Sequence, residues 1–139
     1  MILLDTNVIS KLVRPSPNPS VLAYLRALAP ETTFTAAICE AEIIYGLARL
    51  PTGRRREDLA TRIAALFAAG FQNQVLPFDR LCASHYGAIR SAREAAGRPI
   101  TVEDAMIAAT ACAHGAAVAT RNVDDFEGCG AKMVNPWQG

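Results

Sequence analysis

Short apolar segments alternate with longer helical segments along the whole chain. The apolar segments have the length of buried strands, and helix-capping residues with helical spacing follow most of them. Strands that alternate with helices favour an α/β domain, in which a mostly parallel sheet carries helices on both faces. We therefore expect one domain over residues 1–139, built on four or five strands.

These patterns also predict where each element lies. Strands are predicted at residues 1–4, 32–35, 75–78, 116–119 and 132–134. Helices are predicted at 8–13, 21–28, 36–50, 59–69 (opened by the charged residues 54–58), 79–96 and 100–114. Ser20 is expected to cap the second helix and Asp79 the fifth. Pro77 lies in the third predicted strand, which we therefore expect at a sheet edge or at a strand end.

Composition excludes several classes of protein. The chain has 14 basic and 13 acidic residues, so the net charge of +1 gives no overall basic field for nucleic acid. No basic and apolar leader opens the chain, and no apolar stretch reaches the ~20 residues of a membrane span, so we expect a cytoplasmic protein. The 4 cysteines include no C-x-x-C pair, and we expect free thiols.

Acidic residues fall where the predicted parallel strands end. Asp5 follows the first strand directly, and Asp124 and Asp125 come soon after the fourth. Asp104 opens the helix before the fourth strand, and Glu42 lies within the helix after the second. Ligands of open parallel sheets collect at this edge, and carboxylates gathered there repel one another unless a cation neutralises them. Mg²⁺ or Mn²⁺ held there would support phosphodiester hydrolysis, since such an ion activates water.

Each of these acids also has a structural explanation. Asp5 can cap the first helix, and Asp104 lies three residues after Thr101 in a pattern close to a capping box. Glu42 has the weakest explanation of this kind, because it lies in the middle of a helix. The expected convergence of the acids, rather than any one of them, predicts a functional site.

Four segments of the chain resemble PIN-domain proteins and, more closely, the VapC-type toxins of bacterial toxin–antitoxin pairs, in the FitB-like branch. They are MILLDTNVIS at 1–10, AEIIYG at 41–46, EDAMIAA at 103–109 and VATRNVDDF at 118–126. The closing NPW at 135–137 is also similar. The resemblance covers the whole chain, and its strength comes from four motifs in the expected order.

The resemblance implies the toxin of a type II toxin–antitoxin system, a Mg²⁺-dependent endoribonuclease in which Mn²⁺ can substitute. It implies a cognate antitoxin that lies over the acidic pocket, an RNA substrate and a homodimer. A larger assembly with antitoxin and operator DNA is compatible with it.

The resemblance also implies the roles of particular residues. Catalytic and metal-binding roles carry over to Asp5, Glu42 and Asp104. Some relatives have aspartate where this chain has Asn122, so Asp124 or Asp125 is expected to supply the fourth carboxylate, and we favour Asp125. Supporting polar roles are expected for Thr6, Asn7, Thr120 and Asn122.

The basic residues are candidates for contacts with RNA or with an antitoxin. Without the four acids, 14 basic residues face 13 − 4 = 9 acidic ones, which leaves the remaining surface mildly basic. The candidates are Arg14, Arg49, Arg54, Arg55, Arg56 and Arg121, with Arg80, Arg90 and Arg93 in addition. The positive charges of the three arginines at 54–56 are unfavourable at the N-terminus of the helix that they open, because of the helix dipole. These arginines therefore either bind a partner or form a solvated charged face.

Two other functions stay open at the level of sequence. A phosphoryl-accepting regulatory α/β domain would use Asp79, which follows the third predicted strand, as the acceptor. The other alternative is a PIN-like interaction module without catalytic activity. It stays open because Asn122 is an uncharged amide at a position where a carboxylate would help to bind the metal ion. His85 and His114 have no acidic partner at a useful spacing, so we do not expect a general base there.

Overall fold

A five-stranded sheet forms the centre of the structure, a computed structural model that describes residues 1–138. Its strands are β1 (Ile2–Leu4), β2 (Thr33–Ala36), β3 (Val75–Leu76), β4 (Ala117–Ala119) and β5 (Met133–Val134). They lie in the order β3-β2-β1-β4-β5, and every pairing is parallel. All residues of β1 are buried, so both faces of the central strand are covered. The predicted α/β class is confirmed.

Within residues 1–138, six α-helices accompany the sheet. They are α1 (Thr6–Leu12), α2 (Pro19–Arg26), α3 (Ala37–Ala48), α4 (Arg54–Ala65), α5 (Arg80–Ala95) and α6 (Val102–His114). Asp79 caps α5 as predicted, accepting from two backbone N–H groups. The prediction that Ser20 caps α2 is wrong. The cap is Asn18, because Pro19 takes the first helical position, where a missing N–H costs nothing.

The largest departures from the predicted elements lie around the third strand. The strand β3 has only two residues and lies at one edge of the sheet. It ends directly before Pro77, which agrees with the prediction of an edge or a strand end at this proline. Before it, α4 ends at Ala65, and a wider π-helical turn covers Leu66–Gly70. This turn closes with a bond from Phe71 N to Leu66 O and delivers the Phe71 ring into the core.

The sheet order fixes where the functional groups meet. In the register of β1 with β4, Leu4 lies opposite Ala119, so Asp5 and Thr120 emerge side by side at the carboxyl edge. The buried face of α6 is rich in alanine, which lets this helix pack closely on its neighbours. No helix within residues 1–138 is long and apolar enough to cross a membrane. The four cysteines are free thiols, as predicted.

Candidate active site

Asp5 lies at the centre of the acidic edge. Its backbone N donates to Ala119 O at 2.9 Å, and its side chain is 4% exposed. Oδ1 accepts from Thr6 N at 2.7 Å, which makes Asp5 the cap of α1. Oδ2 accepts from the Thr120 hydroxyl at 2.7 Å and from Asn7 Nδ2 at 3.0 Å. The capping role and a place in the acidic site are therefore combined in one residue.

Thr120 and Asn7 form the rigid support of Asp5. Thr120 is fully buried, and its oxygen also accepts from Asn122 N at 3.1 Å and from Asn7 Nδ2 at 3.3 Å. Asn7 Oδ1 accepts from Arg121 N at 3.2 Å. Since each polar group has a partner, the carboxylate of Asp5 is held in one orientation.

Glu42 reaches the site from α3. Thr6 Oγ1 donates to Glu42 Oε1 at 2.7 Å, so the residue after Asp5 orients the second acid. Burial raises the pKa of Glu42, and the charges of Asp104 and Glu103 raise it further. The motifs did not indicate Glu103 as part of the site. Its one signal in the sequence is its position beside Asp104 in the first turn of a helix.

Asp104 lies in the first turn of α6, where its backbone N donates to the Thr101 hydroxyl at 3.1 Å. Burial raises the pKa of Asp104 to about 6, and the neighbouring charges of Asp5, Asp125 and Glu103 add to this effect. Of the two candidates for the fourth acid, Asp125 is the one whose charge contributes to raising the pKa of Asp104.

No basic side chain neutralises these acids in the described part of the chain. The ion pairs within residues 1–138 are Arg90–Glu94 at 3.4 Å and Arg98–Glu127 at 2.6 Å. Nor do any three carboxylate, imidazole or thiol groups among those residues already stand in positions that would hold a metal ion. Burial and the charges of neighbouring acids raise the pKa values of Asp5, Glu42 and Asp104, which do not form a closed coordination shell. Their oxygen donors and uncompensated charge are of the kind that a hard divalent cation requires.

A cleft of about 570 Å³ opens beside the acids, between α1, α3 and α4. Thr6 and Glu42 lie at its acidic end. Its apolar lining includes Ile43, Leu47, Leu50, Leu59 and Ile63. Arg14, Arg54 and Arg55 also line it, so the tertiary structure gathers three of the predicted contact arginines next to the acids.

The remaining arginines lie elsewhere. Arg49 stacks on Tyr45 with 5.6 Å to the ring centre, and Arg121 stacks on Trp137 with 5.3 Å. Arg56 does not line the cleft. The proposal of Arg93 as a surface contact is wrong, because this side chain is only 7% exposed and its guanidinium bonds to backbone carbonyls.

Asp79 lies apart from the acids. Its carboxylate caps α5 by accepting from Leu81 N and Cys82 N. It lies near His114, the last residue of α6, whereas Asp104 lies in the first turn of that helix. A phosphoryl-accepting aspartate needs other acids beside it to hold a cation. The structure therefore does not favour the regulatory-domain alternative.

Comparison with known proteins decides the family, since the sequence matches the PIN domain over residues 2–129. The chain belongs to the PIN-domain family. This PIN domain is 41% identical over 138 residues to the VapC ribonuclease Y4jK of Sinorhizobium fredii (strain NBRC 101917 / NGR234), covering 99% of each chain. It is 41% identical over 137 residues to the toxin FitB of Neisseria gonorrhoeae (strain ATCC 700825 / FA 1090), again covering 99% of each.

A solved structure extends the similarity to three dimensions. FitAB bound to an IR36 DNA fragment matches the PIN domain with a TM-score of 0.92 and 41% identity, over 99% of this chain and 96% of the other. The PIN domain is thus a ribonuclease toxin of the VapC/FitB type, a component of a toxin–antitoxin system.

Proposed function

We propose that residues 1–139 form a single PIN domain that hydrolyses RNA phosphodiester bonds as a Mg²⁺-dependent endoribonuclease, in which Mn²⁺ can substitute. The observation that carries this proposal is a group of acids at one sheet edge. Burial and the charges of their acidic neighbours raise the pKa values of Asp5, Glu42 and Asp104, and none of the three forms an ion pair within residues 1–138. The residues that would hold the ion are Asp5, Glu42, Asp104 and Asp125.

The polar residues of the site prepare its acids for this role. Thr120 and Asn7 fix Oδ2 of Asp5, and Thr6 fixes Oε1 of Glu42. A bound cation would supply an activated water and stabilise negative charge on the phosphoryl group. Since the supporting groups leave the carboxylates little freedom, the acids meet the ion with little loss of entropy.

The arginines of the cleft can bind the RNA backbone next to the acids. Arg14 and Arg54 line the same cleft as Glu42, where they can bind phosphates along the RNA backbone. A narrow acidic pocket favours single-stranded or looped RNA, because a duplex would place the reacting phosphate poorly. We propose that the protein acts in the cytoplasm, where it would meet its RNA substrate.

The same cleft is suited to the cognate antitoxin. It combines apolar residues such as Leu47 and Ile63 with a rim of arginines. An amphipathic antitoxin segment with acidic residues would bury its apolar face there and pair its carboxylates with Arg54 and Arg55. Such a segment would block access to Glu42. We propose that the toxin is also a homodimer, and that toxin and antitoxin together bind operator DNA.

Cleavage assays with matched variants test the nuclease proposal. Asp5→Asn and Asp79→Asn both replace an aspartate that caps a helix, but only Asp5 lies among the acids. We expect cleavage of cellular RNA by the wild-type protein and by Asp79→Asn, loss with Asp5→Asn, loss with EDTA, and recovery with Mg²⁺ or Mn²⁺. Sequencing of the RNA ends would identify the cut sites. Cleavage that persists in EDTA or in Asp5→Asn contradicts the proposal.

A further inference from the structure

Arg93 is a buried cation that forms no ion pair within residues 1–138. It lies in the last turn of α5 and is 7% exposed. Neither of the ion pairs found within residues 1–138 includes it. A buried charge is costly unless other polar groups compensate it, so its contacts must account for its place in the core.

Backbone carbonyls provide that compensation. Arg93 Nε donates to Arg98 O at 2.6 Å, while Nη1 donates to Asp125 O at 2.8 Å and to Glu127 O at 3.0 Å. One guanidinium thus joins the end of α5 to the segment that carries Asp125. The planar fork of arginine suits this task, since a lysine could not hold the three carbonyls in the same geometry.

The other side-chain hydrogen bonds to the segment around Asp125 come from the exposed Arg98, which donates to Asp124 O at 3.4 Å and to the Glu127 carboxylate at 2.6 Å. Residues 123–126 form a single 3₁₀ turn, whose backbone bonds are short-range ones such as Asp125 N to Asn122 O at 3.0 Å. Phe126 anchors the turn in the core, and Gly128 reverses the chain with a φ of 77°. Arg93 therefore supplies the contact between α5 and the backbone of Asp125 itself.

We propose that Arg93 is a positioning residue of the acidic site, which holds the backbone at Asp125 and so fixes where this carboxylate lies at the carboxyl edge of the sheet. The inference rests on the proposed metal-dependent function, because it concerns the fourth acid of the cation site. Arg93 does not touch substrate or metal; it acts through Asp125. Its role differs from that of the exposed Arg98, which pairs with Glu127 at the surface.

A double-mutant cycle tests this inference by calorimetric titration with Mn²⁺, at a temperature where circular dichroism shows every variant folded. The variants are Arg93→Lys, Asp125→Asn and their combination. We expect Arg93→Lys to weaken Mn²⁺ binding by about tenfold or more in the wild-type background. In the Asp125→Asn background its effect should be under about twofold, because the residue through which it acts is gone. Arg90→Lys, one turn earlier on α5, is the matched control and should leave the affinity unchanged.

A second measurement needs no change at Arg93. The Nε–H resonance of Arg93 in the wild-type protein should shift when Mg²⁺ is added, with the same midpoint as a calorimetric titration with Mg²⁺. It should not shift in Asp125→Asn. Equal losses of affinity in both backgrounds, or an unresponsive Nε–H resonance in a wild-type protein that binds metal, would overturn the role of Arg93 alone. A wild-type protein that binds no metal would overturn the proposed function and this inference together.

Discussion

The hydroxyl of Thr120 donates a 2.7 Å hydrogen bond to Asp5 Oδ2, although 115 residues separate the two along the chain. The bond links the ends of the adjacent strands β4 and β1. It lowers the pKa of Asp5 against the larger, raising effect of burial, and so favours the charged carboxylate that a cation needs.

Thr120→Val should therefore destabilise the protein. The variant keeps the shape of the side chain but leaves Asp5 Oδ2 and Asn122 N without this partner, which should lower the free energy of unfolding by about 1–3 kcal/mol. Urea unfolding at pH 7 measures the change. Thr120→Ser keeps the hydroxyl and should lower the free energy of unfolding by less than Thr120→Val does. An equal decrease in the two variants would show that the hydroxyl does not stabilise the protein.

Asp104→Asn should abolish cleavage and yet stabilise the metal-free protein. The pKa of Asp104 is raised to about 6 from an ordinary value near 3.8, so folding disfavours its ionised form. Below pH 3.8 Asp104 is protonated in both the folded and the unfolded protein, so its raised pKa does not change the free energy of unfolding. Above pH 6 it is ionised in both, and its raised pKa lowers the free energy of unfolding by the full amount. Above pH 6 the variant should gain roughly 1 kcal/mol, since solvent screening reduces the effect at this half-buried group.

Thermal unfolding in EDTA at several pH values checks this sign. The stabilisation should vanish as the pH falls towards 4, since an amide and a protonated carboxyl are equally neutral. A variant that is destabilised at pH 8, or that still cleaves RNA, would contradict the assignment of Asp104 to the acidic site.

The affinity for Mn²⁺ should depend on pH through the same residue. A proton on Asp104 competes with the ion, so binding should weaken as the pH falls below about 6, by up to tenfold per pH unit for one proton. Calorimetric titration between pH 5 and 8 measures it, within the range where the apo protein stays folded. An affinity that does not change across this range would exclude Asp104 as a ligand.

Mg²⁺ should raise the melting temperature of the wild-type protein. An ion that binds only the folded state adds about 2.7 kcal/mol of stability at a hundred times its dissociation constant. Asp5→Asn should reduce the gain strongly, whereas Asp79→Asn should keep it. If millimolar Mg²⁺ leaves the wild-type melting temperature unchanged, the proposed Mg²⁺ site is contradicted.

Asp125→Asn should weaken Mn²⁺ binding more than Asp124→Asn does. The charge of Asp125 acts on Asp104, whereas the charge of Asp124 acts on the exposed Arg98, whose Nη2 also donates to Asp124 O at 3.4 Å. Titration of both variants side by side decides between them. A larger effect of Asp124→Asn would assign the fourth carboxylate to Asp124.

The sequence predicts that Asp5 and Thr120 each follow a strand directly, so that they meet if β1 and β4 are neighbours. The structure shows that these strands are neighbours. Parallel strands that are neighbours bring such residues together whatever their separation along the chain. Glu42 was harder to place, because its position depends on how α3 packs beside β1. The buried role of Arg93 could not be predicted, since nothing local distinguishes it from an exposed arginine on α5.

The sequence alone determined the succession of strands and helices along the chain, the position of acids next to predicted strands, and the family. It could do so because hydrophobic periodicity, caps and motifs are local properties of the chain. The tertiary structure decided which acid lies beside Asp104, which arginines line the cleft and which one is buried. These depend on the packing of segments distant in sequence, since burial and charge–charge distances are set by the neighbours that folding brings together.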